Sequence, residues 1–172
     1  MTRMAIAANI VLFQLGWFAC VLGAARGWSG IGALIALAIV AGHVLHAARP
    51  RRELVLVAIA AAAGTLADSL LAASGWLNYE GASPFPGAAP YWIVALWALF
   101  AITLNVSMRP LRTRPLLGVP LGLVGGPLAY LGGEKLGAVA LAQPLPALAA
   151  LALVWAAATP LLLGLALRLE RA

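Results

Sequence analysis

Three side chains that could bind ions or exchange protons stand inside stretches of sequence that are otherwise apolar: Asp68, Tyr130 and Glu134. A carboxylate at the centre of a bilayer costs about 2.5 to 3.5 kcal/mol even on the lenient insertion scale, so each buried one needs a partner or a purpose. Tyr130 and Glu134 share one helix face because they are four residues apart. These groups could bind a cation, a proton or a polar headgroup, or act as acid and base on a lipid.

Residues near these groups could complete a site. Thr65 stands about one turn before Asp68, and glycine and proline crowd the segment before Tyr130. Glycine and proline at this density disfavour a regular helix, which predicts an interruption at the Gly125-Gly126-Pro127 step whose free backbone groups could contact a ligand. The alternative is that small residues permit close helix packing. The predicted ligand-binding residues are Asp68, Tyr130, Glu134, Thr65, Pro127 and Gly126.

A second polar cluster is predicted at the opposite side of the membrane, on spans one, two and four, and its members are Asn9, Gln14, His43 and Asn105. His43 and His46 share a face, a spacing that could hold a metal, but the chain has two histidines and a third ligand such as Glu53 would be needed. Hydrogen bonding between helices is the preferred interpretation. We expect no metal and no cofactor.

Standard catalytic motifs are missing from the sequence. It has no Gly-x-Ser-x-Gly elbow, no His-Glu-x-x-His pair, no phosphate-binding loop and no dinucleotide fingerprint. Whether the protein is an enzyme therefore stays open, with a non-enzymatic role preferred.

The elements that must position these residues follow from composition. Of 172 residues, 64% are hydrophobic and 9% are charged, whereas soluble domains average about half and about a quarter. Because one span needs about 20 apolar residues, the chain has room for six spans and no soluble domain. The sequence predicts one all-α domain over residues 1–172, a six-helix transmembrane bundle with the fifth span interrupted. The predicted spans are 4–25, 29–48, 54–75, 90–108, 116–138 and 146–167.

Charge predicts the orientation of this bundle. The net charge is +6, and ten of the eleven basic residues are arginines, clustered between apolar runs rather than in one patch. Nine arginines fall on one side if the N-terminus is inside, which leaves Arg26 outside. We therefore expect both termini to be cytoplasmic and nucleic acid not to be a partner.

Three segments resemble a family of small bacterial inner-membrane proteins catalogued as domain of unknown function 2878. They are residues 9–17 (NIVLFQLGW), 96–108 (LWALFAITLNVSM) and 125–138 (GGPLAYLGGEKLGA). The resemblance implies a multi-pass protein of the bacterial inner membrane and supplies no activity. It carries over, as pattern positions alone, Asn9, Gln14, Trp17, Asp68, Asn105, Pro127 and Tyr130.

Three functions remain open at this stage. The preferred one is binding or transport of a small polar or amphipathic solute in an outward-facing cavity formed chiefly by spans three and five, with membrane lipids and an energising or assembly protein as partners. The second is a lipid-modifying or lipid-binding enzyme component. The third is a structural subunit of a membrane complex, in which the polar residues join helices.

Overall fold

The fold is almost entirely helical, with 78% of the chain in helices. The computed structural model describes residues 2–171. The elements are α1 (Arg3–Ala25), α2 (Ser29–His46), α3 (Pro50–Ala73), β1 (Leu77–Tyr79), α4 (Tyr91–Leu104), α5 (Gly118–Lys135), β2 (Val139–Leu141) and α6 (Pro144–Arg171), with short 3-10 helices at Arg109–Thr113 and Pro115–Leu117.

Local sequence explains where the helices begin and end. The Thr2 hydroxyl accepts a hydrogen bond from Ala5 N and caps α1, and Pro50 opens α3, where a missing N–H costs nothing. Glycines with positive φ follow α1, α3 and α5, as a left-handed turn after a helix requires. They are Gly27, Gly75 and Gly137, with φ of 77°, 73° and 86°.

Within residues 2–171, six α-helices form where six spans are predicted, and five of them are long and apolar enough to cross a membrane. The exception is α4, whose 14 residues extend about 21 Å at 1.5 Å per residue, short of a hydrocarbon core of about 30 Å. Its predicted span reached Met108, but the helix ends at Leu104. Ten of its residues are buried, and it packs against α1, α2, α3 and α6. The shortest helix is therefore the centre of the bundle.

The predicted interruption of the fifth span is wrong, because α5 continues as a helix through Gly125, Gly126 and Pro127. The glycines serve close packing instead. A Cβ atom added at Gly122 would lie 2.0 Å from the Trp155 backbone oxygen, and one at Gly126 would lie 2.3 Å from Trp155 Cγ. Small residues let α5 approach α6 closely, and Pro127 removes one backbone donor without ending the helix.

The bundle has two distinct ends. At the terminal end, the second turn of α1 meets the last turn of α4 and the first turn of α3 meets the last turn of α6, as contacts of Asn9 with Ile102 and of Arg52 with Leu169 show. At the loop end, β1 and β2 form an antiparallel pair in which Tyr79 lies opposite Val139. The two strands join the loop after α3 to the loop after α5.

Candidate functional site

Asp68 stands at the centre of a cluster of hydrogen-bond donors and is 1% exposed. Its Oδ1 accepts hydrogen bonds from the Tyr79 hydroxyl, at 2.7 Å, and from the Tyr130 hydroxyl. Its Oδ2 accepts one from Trp97 Nε1 at 2.6 Å. The four side chains, which we call the Asp68 cluster, come from α3, β1, α4 and α5. They enclose the carboxylate rather than leave it open to a ligand.

Neighbouring residues explain how this cluster forms. A Cβ at Gly64 would lie 1.9 Å from Trp97 Cδ2, so glycine one turn before Asp68 lets the indole lie against α3 and reach the carboxylate. Burial raises the pKa of the Tyr79 hydroxyl well above its ordinary value of 10.0, and the neighbouring Tyr130 and Asp68 raise it further. Tyr79 therefore stays protonated and serves as a donor.

Two of the other predicted ligand-binding residues lie apart from the cluster. Glu134 Oε1 accepts a hydrogen bond from Leu141 N at 3.0 Å, which ties the end of α5 to β2. The Thr65 hydroxyl oxygen is buried and has no hydrogen-bond partner among residues 2–171. Tyr130 and Glu134 share a helix face, as their spacing predicts, but they contact different elements.

A cavity of about 470 Å³ lies between α1, α4, α5 and α6, and we call it the aromatic cavity. Spans three and five were expected to form the cavity, but α3 does not line it. Its lining includes four of the six tryptophans, which are Trp17, Trp92, Trp97 and Trp155. Of the predicted ligand-binding residues, Tyr130 and Gly126 line it. No charged side chain of the described residues lines it.

Stacked aromatic rings form the back wall of the aromatic cavity. The rings of Trp97 and Trp155 are nearly parallel, with centroids 4.3 Å apart, and Phe100 meets both rings edge-on. Trp155 Nε1 is buried and has no hydrogen-bond partner among the described residues. Trp97 and Tyr130 line the cavity and also donate hydrogen bonds to Asp68, which itself does not line it. The carboxylate therefore fixes the positions of two wall residues.

The cavity extends along much of the bundle and opens sideways. On α5 its lining runs from Leu121 to Gly133, about 18 Å of helix. At the loop end, Trp17 approaches Gly132, where an added Cβ would lie 3.5 Å from Trp17 Cη2. Lining residues that are also exposed, including Gln14 and Gly125, mark a mouth between α1 and α5.

The terminal end holds a second polar network. Glu53 Oε1 lies 2.8 Å from His43 Nε2, and its Oε2 accepts a hydrogen bond from Asn105 Nδ2 at 2.6 Å. Asn105 Oδ1 accepts from Arg112 Nη1 at 2.6 Å, and Arg112 Nη2 donates to Glu170 Oε2 at 2.7 Å. Arg112 is 4% exposed. This network joins α2, α3 and α6 to the segment after α4.

The members of the predicted second cluster therefore separate. His43 and Asn105 meet through Glu53, whereas Asn9 holds the end of α4 by donating to Ile102 O at 3.1 Å. Gln14 lies at the aromatic cavity instead. Within residues 2–171, no group of three or more histidine, cysteine, aspartate and glutamate side chains is arranged to hold a metal ion.

Sequence reasoning missed three residues that organise these sites: Trp97, Glu53 as a hydrogen-bonding centre, and Arg112. A usable signal existed for Trp97, because a buried indole N–H usually finds an acceptor and Asp68 is among five acidic residues in the chain. Arg112 was counted as one of the basic residues that set orientation, which hid its role inside the bundle.

The length and composition of the helices, with leucines such as Leu34, Leu66 and Leu153 more than 60% exposed on their outer faces, define a multi-pass helical membrane protein. Residues 6–161 match the model of a family described as Protein of unknown function (DUF2878). The chain belongs to this family, which confirms the resemblance seen in its sequence. No curated protein and no solved structure matches the chain.

Proposed function

We propose that this protein binds an amphipathic molecule of the bilayer, whose apolar part occupies the aromatic cavity. The observation that carries the proposal is a side-opening cavity of about 470 Å³ walled by tryptophan and phenylalanine. Pockets for small molecules measure about 300 to 1,000 Å³ and are lined mainly by apolar and aromatic groups with a few polar ones.

The lining favours an amphipathic ligand over a polar solute. A small polar solute would need several charged or hydrogen-bonding groups on the walls, whereas the lining is mainly apolar and aromatic and the Asp68 carboxylate is enclosed by its three donors. Lipid tails are as apolar as the walls, so shape and hydrogen bonding must select the ligand. Rigid indole rings provide such a shape.

The alternative of a lipid-modifying enzyme finds less support. Among the described lining residues, Tyr130 carries the one side chain able to exchange a proton in acid–base work, and its hydroxyl is already bonded to Asp68. An acid–base reaction in the cavity would require that bond to break.

The distribution of arginines supports one orientation of the protein in the membrane. Nine of ten arginines belong to the terminal end or to the segments that join its helices, with Arg26 at the loop end. The positive-inside bias therefore supports a cytoplasmic terminal end, in a bacterial inner membrane as the family resemblance implies. The mouth of the cavity opens sideways between α1 and α5 and would face lipid.

Quenching of tryptophan fluorescence by a brominated amphiphile, such as dibrominated stearyl alcohol in vesicles, tests the proposal because four tryptophans line the cavity. Gly125→Leu should fill the mouth without a clash, since a Cβ there meets nothing within 4 Å. Gly164→Leu is the matched control, because it also lies in a helix with open space around its Cβ.

We expect wild type and Gly164→Leu to be quenched at low mole fractions of the brominated molecule, and Gly125→Leu to need much more. If all three proteins are quenched alike, the cavity is not a binding site and the proposal is wrong.

A further inference from the structure

Gln14 places a polar amide at the middle of a membrane span. It lies eleven residues from each end of α1 (14 − 3 and 25 − 14), about 16 Å of helix in either direction. It is exposed on the surface of the bundle and lines the mouth of the aromatic cavity. An amide at this depth has no water to bond to.

The rest of the bundle leaves this amide free. Among the described residues, the side-chain hydrogen bonds of α1 are made by Asn9 and Cys20, and none reaches Gln14. Asn9, also on α1, is by contrast fully engaged, with both amide atoms bonded to α4 and the turn after it. A polar side chain in hydrocarbon usually finds a partner across an interface, so Gln14 points to a partner outside the described chain.

We infer that Gln14 recognises the hydrogen-bonding group of an uncharged amphiphile bound in the aromatic cavity. This inference rests on the proposed function and specifies its ligand class. The ligand carries a hydroxyl, ester or ketone, because an amide can both donate to and accept from such groups. It carries no charge within the cavity, because no cationic side chain lines the described walls and an ion at mid-membrane depth is costly.

Three brominated probes with the same chain separate these requirements: dibrominated stearyl alcohol, the corresponding alkane and the corresponding carboxylate, each in vesicles at a pH where the acid is ionised. Tryptophan quenching is compared in wild type and Gln14→Leu. The substitution lies on an exposed face, so the fold is expected to survive it, and Gln14→Asn keeps an amide on a shorter arm.

We expect the alcohol to bind wild type about threefold more tightly than the alkane, the usual strength of a hydrogen bond within a membrane. The carboxylate should bind more weakly than the alcohol. Gln14→Leu should bind the alcohol and the alkane with nearly equal affinity, while Gln14→Asn should retain part of the preference for the alcohol.

An alcohol preference that persists in Gln14→Leu would overturn the inference, and so would a preference for the carboxylate. A shift of Gln14→Leu to a smaller oligomer would also overturn it, because the amide would then bond to a second copy of the chain. Failure of the proposed function looks different, since no probe would then respond to Gly125→Leu.

Discussion

Two glycines on α5 should respond in opposite directions to the same substitution. Alanine is favoured over glycine inside a helix by about 0.8 to 1.0 kcal/mol. At Gly125 an added Cβ meets nothing within 4 Å, so we expect Gly125→Ala to stabilise the protein by about 1 kcal/mol. Gly164→Ala, with the same open space on α6, is expected to give a similar gain.

At Gly122 the added Cβ would lie 2.0 Å from the Trp155 backbone oxygen. A backbone atom cannot move aside as a side chain can, so the cost should reach about 3 kcal/mol, the upper part of the range for overpacking. After the gain in helix propensity is subtracted, Gly122→Ala should destabilise the protein by about 2 kcal/mol. The two variants are thus expected to differ by about 3 kcal/mol.

Unfolding in mixed micelles with increasing sodium dodecyl sulfate, followed by tryptophan fluorescence, measures both free energies. A destabilising Gly125→Ala would refute the reasoning, because it would mean that α5 is broken at Gly125 as the sequence first indicated. A neutral Gly122→Ala would refute the close approach of α5 to α6.

Four further predictions test the polar networks and the core. Tyr130→Phe and Trp97→Phe each remove one donor to Asp68. Each should lower the free energy of unfolding by about 1.5 to 3 kcal/mol, as for hydrogen bonds to charged groups. An unchanged free energy of unfolding in both variants would contradict the hydrogen bonding of the Asp68 cluster. Glu170→Ala leaves the buried Arg112 without its carboxylate and should cost about as much, whereas Glu170→Gln should cost less in the same unfolding assay. The pKa of Tyr79 is raised in the folded protein, so the stability linked to its proton is present below pH 10.0 and is lost as pH rises above that value. Tyr79→Phe should therefore make the free energy of unfolding fall less steeply with alkaline pH. An unchanged dependence on pH would contradict this linkage. Cys20 is fully buried, so a maleimide should label it only as the protein unfolds, and rapid labelling of the folded protein would show that the contact between α1 and α2 is open.

Much of the architecture can be predicted from the sequence because long apolar runs separated by arginine and proline leave few alternatives. Helices α1, α2 and α3 begin or end within a few residues of their predicted spans. The fourth span was predicted too long, because the uncharged sequence continues to Met108 and does not indicate that Asn105 and Ser107 lie outside the helix. They form turns whose hydrogen bonds reach Glu53 and Asn9.

The candidate site was harder to predict, since it depends on contacts between distant parts of the chain. The sequence singles out Asp68 and Tyr130 as costly groups in a membrane, and the fold joins them directly. It offers Asp68 as one of few acceptors for the Trp97 indole, but the contact itself depends on how closely α4 packs against α3 at Gly64, which only the fold shows. Nor does it show that the glycines of α5 accommodate Trp155, since a glycine-rich segment looks the same in the sequence whether its glycines break a helix or let it pack closely.

Native mass spectrometry of the protein extracted gently from its own membranes tests the binding proposal most directly. Wild type and Gly164→Leu are expected to retain one uncharged amphiphile at a fixed stoichiometry, and Gly125→Leu, whose added side chain fills the mouth of the aromatic cavity, is expected to be empty. An empty wild-type protein, or a molecule retained equally by Gly125→Leu, would contradict the account.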